Sequence, residues 1–280
     1  MKGIVTLKAW KRPYYLKQIL DGILAAHGNE NYDYYISIDF HQETNKQSYD
    51  LIQEFIKNSK SNSVKFTIHS QQQGCAGNHK VCQEYAFNHE NNYDYMIHFE
   101  DDTLPGKDLF LWYEWARENY GNIENIFAIT PFIPQRQRTS NHSNSDETVS
   151  FLEDSFPCQG GFLMVRRIHD MIYKYDGVFG IHGHVDQKNV TPQTFKNGLQ
   201  IHLSGSWALP FGNYFRNIEG HKYCVTPEVS RANNIGATEG TFNPSVSWHI
   251  ANILNQNWIE SDRYNILNKK EIEYKRLDIC

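Results

Sequence analysis

The chain has 280 residues, 40% of them hydrophobic and 14% aromatic, and carries a net charge of −5. That is enough apolar material for one large α/β domain or two small ones, and it excludes a disordered or fibrous chain. The weakly acidic balance excludes a global attraction to nucleic acid or anionic membrane, though not a local basic groove.

Residues 3–7 (Gly-Ile-Val-Thr-Leu) read as a buried strand, followed by a loop at Lys11-Arg12-Pro13. Apolar residues at Tyr15, Leu16, Ile19, Leu20, Ile23 and Leu24 predict a helix over 14–26, with Pro13 suited to its first turn. A second strand over 34–40 ends at Asp39 and Phe40, and an amphipathic helix covers 48–58. A third strand spans 64–69. Gly74-Cys75-Ala76-Gly77-Asn78 is a turn that opens a helix reaching about His89, and a fourth strand covers 95–99. Strand and helix alternate four times, which argues for a mostly parallel sheet covered by helices. An aromatic-rich helix over 109–120 and a strand over 126–129 come next. Residues 134–150 are polar and unpatterned and read as a surface loop. Further on, the pattern predicts an apolar segment at 162–165, a helix over 168–175, a strand over 199–203 and a helix over 246–255.

Five cysteines (Cys75, Cys82, Cys158, Cys224 and Cys280) form no Cys-x-x-Cys pair, so free thiols in a reducing compartment are expected. The chain starts directly on a strand pattern and holds no apolar run long enough to span a bilayer, from which no leader and a cytoplasmic location are expected.

Chemistry concentrates at Glu100-Asp101-Asp102. These carboxylates stand where the fourth strand ends, just before a Pro105-Gly106 breaker. In open α/β sheets ligands bind at the carboxyl ends of the strands. Three adjacent acids repel one another unless a cation or strong donors hold them, and Mg²⁺ or Mn²⁺ sites pair one or two carboxylates with substrate phosphates. The plainer reading is a solvated acidic turn.

Four features taken together resemble a glycosyltransferase of the GT-A fold. They are Arg12-Pro13 after strand one, Asp39 at the end of strand two, the Gly74–Asn78 helix start with Ala86, and Glu100-Asp101-Asp102 followed by Leu104-Pro105 and Phe110. Arg12-Pro13 is similar to the Asn-Arg-Pro-type loop of family-2 inverting enzymes. N-acetylglucosaminyltransferase I offers a closer likeness. Its family carries Glu-Asp-Asp, a turn similar to Phe156-Pro157-Cys158-Gln159-Gly160-Gly161, and a segment similar to Cys224-Val225-Thr226-Pro227-Glu228-Val229-Ser230-Arg231. The resemblance implies a single Rossmann-like GT-A domain with a nucleotide-sugar half over 1–105, an acceptor half over 106–255 and a C-terminal tail over 256–280.

It also implies a metal-dependent, inverting transfer from a nucleotide-sugar, UDP-sugar foremost, with Mn²⁺ or Mg²⁺. Asp102 would ligate the metal, and Glu100 and Asp101 would hold the ribose or the metal's water shell. Arg12 would meet the diphosphate or base, unless it is a solvated loop arginine; Asp39, Gly74 and Asn78 would line the nucleoside site. Asp186, in Gly183-His184-Val185-Asp186, is the expected general base, although the family's tryptophans and second acid are missing there and a helix N-cap is the alternative. His249 is the expected late metal ligand. Trp207 and Trp248 would stack on a sugar or serve as core. Glu228 and Arg231 match that family segment, and the plainer reading pairs them with each other to hold the loop. The acceptor stays open among glycan, protein, lipid carrier and a modified nucleic-acid base, and a bacterial or viral enzyme is expected rather than a Golgi one. A sugar-phosphate nucleotidyltransferase and a non-catalytic GT-A-like binding module are the alternatives. The first usually carries a glycine-rich basic loop after strand one, which Leu7-Lys8-Ala9-Trp10-Lys11-Arg12 lacks.

Overall fold

A computed structural model of the chain describes residues 1–132, 149–153, 161–170, 223–237 and 245–252. In chain order its main elements are β1 (Gly3–Ala9), α1 (Pro13–Ala25), β2 (Asp33–Ile38), α2 (Asn45–Asn58), β3 (Val64–Ile68) and α3 (Gly74–Phe87). Then come β4 (Tyr95–Glu100), β5 (Thr103–Pro105), α4 (Leu109–Tyr120), β6 (Ile126–Ile129) and β7 (Val149–Glu153). The last are β8 (Phe162–Val165), β9 (Tyr223–Pro227), β10 (Ala232–Asn234) and α5 (Val246–Asn252).

Eight of the described strands form one sheet in the order β3-β2-β1-β4-β8-β6-β9-β7. The first four run parallel, and β8 enters antiparallel beside β4. This is the mostly parallel, helix-flanked α/β sheet that the alternation implies. The strands β5 and β10 pair antiparallel as a separate ribbon.

The period-2 alternation of β1 divides the core. Val5, Leu7 and Ala9 face the cluster built with α1, α2 and α4, where Leu16, Ile19, Leu20, Ile23, Phe55, Trp112 and Tyr113 are buried. Ile4 faces the opposite cluster under α3, with Cys82, Ala86, Met96 and Phe162. In α1 the buried positions Leu16, Ile19, Leu20 and Ile23 recur at helical spacing, and Pro13 sits in the first turn as expected. The aromatic run of α4 is core, with Trp112 and Tyr113 fully buried. Each such ring removed from water contributes on the order of 2–3 kcal/mol.

Four strands, β5, β7, β9 and β10, escaped the sequence pattern. The segments β5 and β10 are only three residues long, too short to show alternation. Val149 and Ser150, read as the end of a polar loop, instead begin β7, which is held against β9 from Val149↔Pro227 to Glu153↔Tyr223. Pairing supplied by a distant strand overrode weak local propensity. Among the described residues no helix is long and apolar enough to cross a membrane.

Candidate active site

The carboxyl ends of β1, β2 and β4 lie side by side, because β1 pairs with both neighbours in parallel register. Lys8 on β1 stands directly opposite Glu100 on β4, and Lys8 Nζ reaches Glu100 Oε1 at 2.8 Å. Lys8 is buried, and its ammonium also donates to Cys75 Sγ at 3.0 Å on the first turn of α3. Burial works against the lysine's charge, but Glu100 and Cys75 outweigh it and the net shift of its pKa is upward. On the same side of the sheet, His98 Nδ1 and Thr6 Oγ1 share a hydrogen bond of 2.9 Å, and His98 Nε2 lies 2.9 Å from His79 Nδ1. Burial and then nearby Lys8 drive the pKa of His98 well down, so this imidazole is neutral.

The other two acids gather about one arginine. Arg12 precedes α1, and its Nη2 donates to Asp101 Oδ1 and, at 2.9 Å, to Asp102 Oδ2. Its Nε reaches Asp101 Oδ2 at 3.4 Å, and the Trp10 N–H reaches the same oxygen at 3.3 Å. Arg12 Nη1 is buried and meets no acceptor among the described residues. Burial opposes the guanidinium's charge, yet Asp101 and Asp102 more than offset it, and its pKa rises. Asp102 moves the other way from an ordinary carboxylate. Burial pushes its pKa up to about 7; Arg12 pulls it down, while Glu100 and Asp101 add to the rise. Arg12 is therefore a shielded arginine held by two carboxylates and not a solvated loop one.

Asp102 is clamped from a second direction. The β5–β10 ribbon pairs Asn234 with Thr103, which lets Asn234 Nδ2 donate to Asp102 Oδ1 at 3.1 Å. The Ile235 N–H bonds the Asp102 carbonyl at 2.9 Å. A Cβ on Gly236 would lie 2.2 Å from Asp102 Oδ2, so any other residue there would force the Asp102 side chain to shift. Upstream of β10, Arg231 Nη1 pairs with Asp108 Oδ2 at 3.0 Å with both side chains buried, and Glu228 accepts from Ser150 Oγ. The block from Cys224 to Arg231 thus delivers the ribbon to the acids. Lys8, Asn234 and Gly236 were not singled out from sequence. A lysine inside an apolar strand and an Asn-Asn-Ile-Gly run just after Arg231 were the available signals.

The remaining nucleoside-site candidates are occupied in building the scaffold. Asp39 is buried, and its carboxylate accepts three backbone N–H groups, from Phe40 at 2.8 Å, Gln73 at 2.6 Å and Gly74 at 2.9 Å. Asn78 is also buried. Its Nδ2 donates to the carbonyls of Ala9 at 3.2 Å and Ser37 at 3.3 Å, and its Oδ1 accepts from Ser37 Oγ. The two side chains pin α3 across the ends of β1 and β2. Gly161, from the second glycine turn, has φ +80°, and a Cβ on it would meet the His98 carbonyl at 2.7 Å, so the chain runs tight against β4. Asp186 and Trp207 lie outside the described residues, and the side chain of His249, on α5, does too.

The donor set suits a hard divalent cation. The acceptors gathered there are carboxylate oxygens, and three acids share two side-chain cations. Among the described residues no three His, Cys, Asp or Glu side chains converge on one point. Such an ion would therefore take one or two carboxylates, Asp102 first, with phosphate and water completing its shell, the usual arrangement for Mg²⁺.

Compared by sequence, the chain matches no protein-family profile and no curated protein. Compared by structure, it is similar to TarS residues 1–349 from S. aureus in complex with UDP, at 9% identity and a TM-score of 0.47, over 83% of this chain and 59% of that one. It is also similar to the mannosyltransferase PcManGT from Pyrobaculum calidifontis in complex with GDP-Man and Mn²⁺, at 10% identity and a TM-score of 0.44, over 61% of this chain and 47% of that one. The chain spans less than two thirds of either neighbour, and at these values neither likeness bears on its chemistry.

Proposed function

We propose that the chain is a metal-dependent, inverting glycosyltransferase that moves a sugar from a nucleotide-sugar, UDP-sugar foremost, to an acceptor hydroxyl. The observation that carries this reading lies at the carboxyl edge of the parallel strands, where Asp101 and Asp102 gather about Arg12 and the adjoining Glu100 pairs with Lys8. An acidic turn that was merely solvated would not be buried, clamped by Asn234 and paired with two internal cations.

In this reading Asp102 holds the cation, with Glu100 and Asp101 on the ribose or on the cation's water shell, and His249 as a late ligand. A divalent ion bound there would neutralise the charge that develops on the departing diphosphate. Arg12 meets the diphosphate, and Asp39, Gly74 and Asn78 shape the nucleoside pocket by fixing the start of α3. Asp186 accepts the proton of the acceptor hydroxyl as the oxygen forms its bond to the anomeric carbon and the bond to the diphosphate breaks. Residues 1–105 supply the donor half and 106–255 the acceptor half, and the enzyme works in the cytoplasm.

Proton NMR of the chain with each UDP-sugar and Mn²⁺ tests this, first as slow donor hydrolysis and then with acceptor panels. The expected product has its anomeric configuration inverted, and Asp186→Asn abolishes transfer. Retention of configuration would refute the inverting assignment. Release of pyrophosphate from a nucleoside triphosphate and a sugar phosphate would identify a nucleotidyltransferase instead.

A further inference from the structure

Asp101 and Asp102 each keep a partner besides the arginine that pairs them. Asp102 is held by Asn234 and backed by Gly236, while Asp101 is held by the Trp10 N–H. Arg12 reaches both from a long stem just ahead of α1, with its guanidinium carbon 5.3 Å from the centre of the Tyr15 ring. Its Nη2 and Nε are committed to carboxylates, and its buried Nη1 meets no acceptor among the described residues.

We propose that Arg12 is a latch on the acidic site: its guanidinium covers the faces of Asp101 and Asp102 that a divalent cation needs, and it passes to the donor's diphosphate when cation and donor load together. This rests on the donor-site reading above and adds an order of events to it. A guanidinium and a divalent ion a few ångströms apart repel strongly in a partly buried site, so one must give way. The planar fork of arginine fits two phosphate oxygens as well as two carboxylate oxygens, and the unused Nη1 offers a further donor for that move. The metal alone therefore binds weakly, and the metal with a nucleoside diphosphate binds synergistically. The site stays closed to free divalent ions until a donor supplies phosphates for Arg12 to take.

The test is titration of Mn²⁺ followed by the electron paramagnetic resonance signal of the free ion, with and without each of UDP, GDP, CDP and dTDP. Wild type, Arg12→Met and Arg12→Lys are compared, with thermal unfolding as the check on folding. Arg12→Met is expected to bind Mn²⁺ alone at least tenfold tighter than wild type and to lose most of the gain that the effective nucleotide gives wild type. Arg12→Lys, which keeps a charge but not the fork, is expected to fall between them, and it carries the test if Arg12→Met does not fold. If wild type takes up the metal–nucleotide pair but neither variant gains affinity for metal alone, the latch is wrong and the donor site stands. If no protein binds Mn²⁺ under any condition, both readings fail.

Discussion

Gly74 donates its backbone N–H to the Asp39 carboxylate at 2.9 Å, which ties the end of β2 to the first turn of α3. With Gln73 and Phe40 also donating, this one carboxylate satisfies three backbone groups. Losing a cap costs about 1 kcal/mol, and a buried donor left unmade costs about 1–3 kcal/mol. Asp39→Ala should therefore lower stability by about 2–3 kcal/mol and Asp39→Asn by about half that. The shift of the denaturation midpoint in urea measures both.

The Lys8–Glu100 pair is asymmetric. Lys8 has 7% of its side chain exposed and Glu100 has 29%. Removing the acid strands a buried ammonium, whereas removing the lysine leaves a carboxylate that water reaches. Breaking a fully buried pair from one side costs about 3–5 kcal/mol. Glu100→Gln should approach the lower end of that range and Lys8→Met should cost less, an order that paired urea titrations would establish.

Gly236 gives a site perturbation that should leave the core intact. Alanine there would push on Asp102 Oδ2. Gly236→Ala is expected to unfold within a few degrees of wild type yet weaken metal–nucleotide binding at least tenfold, as read by isothermal titration calorimetry.

Acidity should act on the metal-free protein in an unusual direction. The carboxyl of Asp102 is held at about 7 in the fold, against about 4 in an unfolded chain. The folded state thus binds the extra proton between those values, and stability falls as pH rises through about 7, by at most about 4 kcal/mol. The contribution is fully present below about pH 4. Melting temperature without metal should be lower at pH 8 than at pH 6, with Asp102→Asn flattening the difference.

The chain's sequence shows its parallel half clearly. The strands β1, β2 and β4 are largely buried runs, and α1 carries its core stripe at helical spacing. The acids were equally legible, because three carboxylates closing an apolar strand contradict the local pattern. Their partners were not. Lys8 meets Glu100 through strand register, and Asn234 reaches Asp102 through a three-residue ribbon, so each contact joins residues far apart in the chain. Asp39 and Asn78 read as ligand-facing, whereas their polar atoms are committed to backbone groups and, for Asn78 Oδ1, to the Ser37 hydroxyl. Spacing identifies a polar residue at a strand end without saying whether ligand or backbone takes its hydrogen bonds.

Thermal unfolding of wild type and Asp102→Ala with UDP, GDP, CDP or dTDP, each with and without Mn²⁺, tests the donor-site reading most directly. A ligand that binds only the folded state raises the melting temperature by mass action. One nucleotide should stabilise wild type only when Mn²⁺ is present, and the shift should vanish in Asp102→Ala. No shift with any nucleotide–metal pair, or an equal shift in Asp102→Ala, would contradict the assignment of Glu100, Asp101 and Asp102 as the donor site.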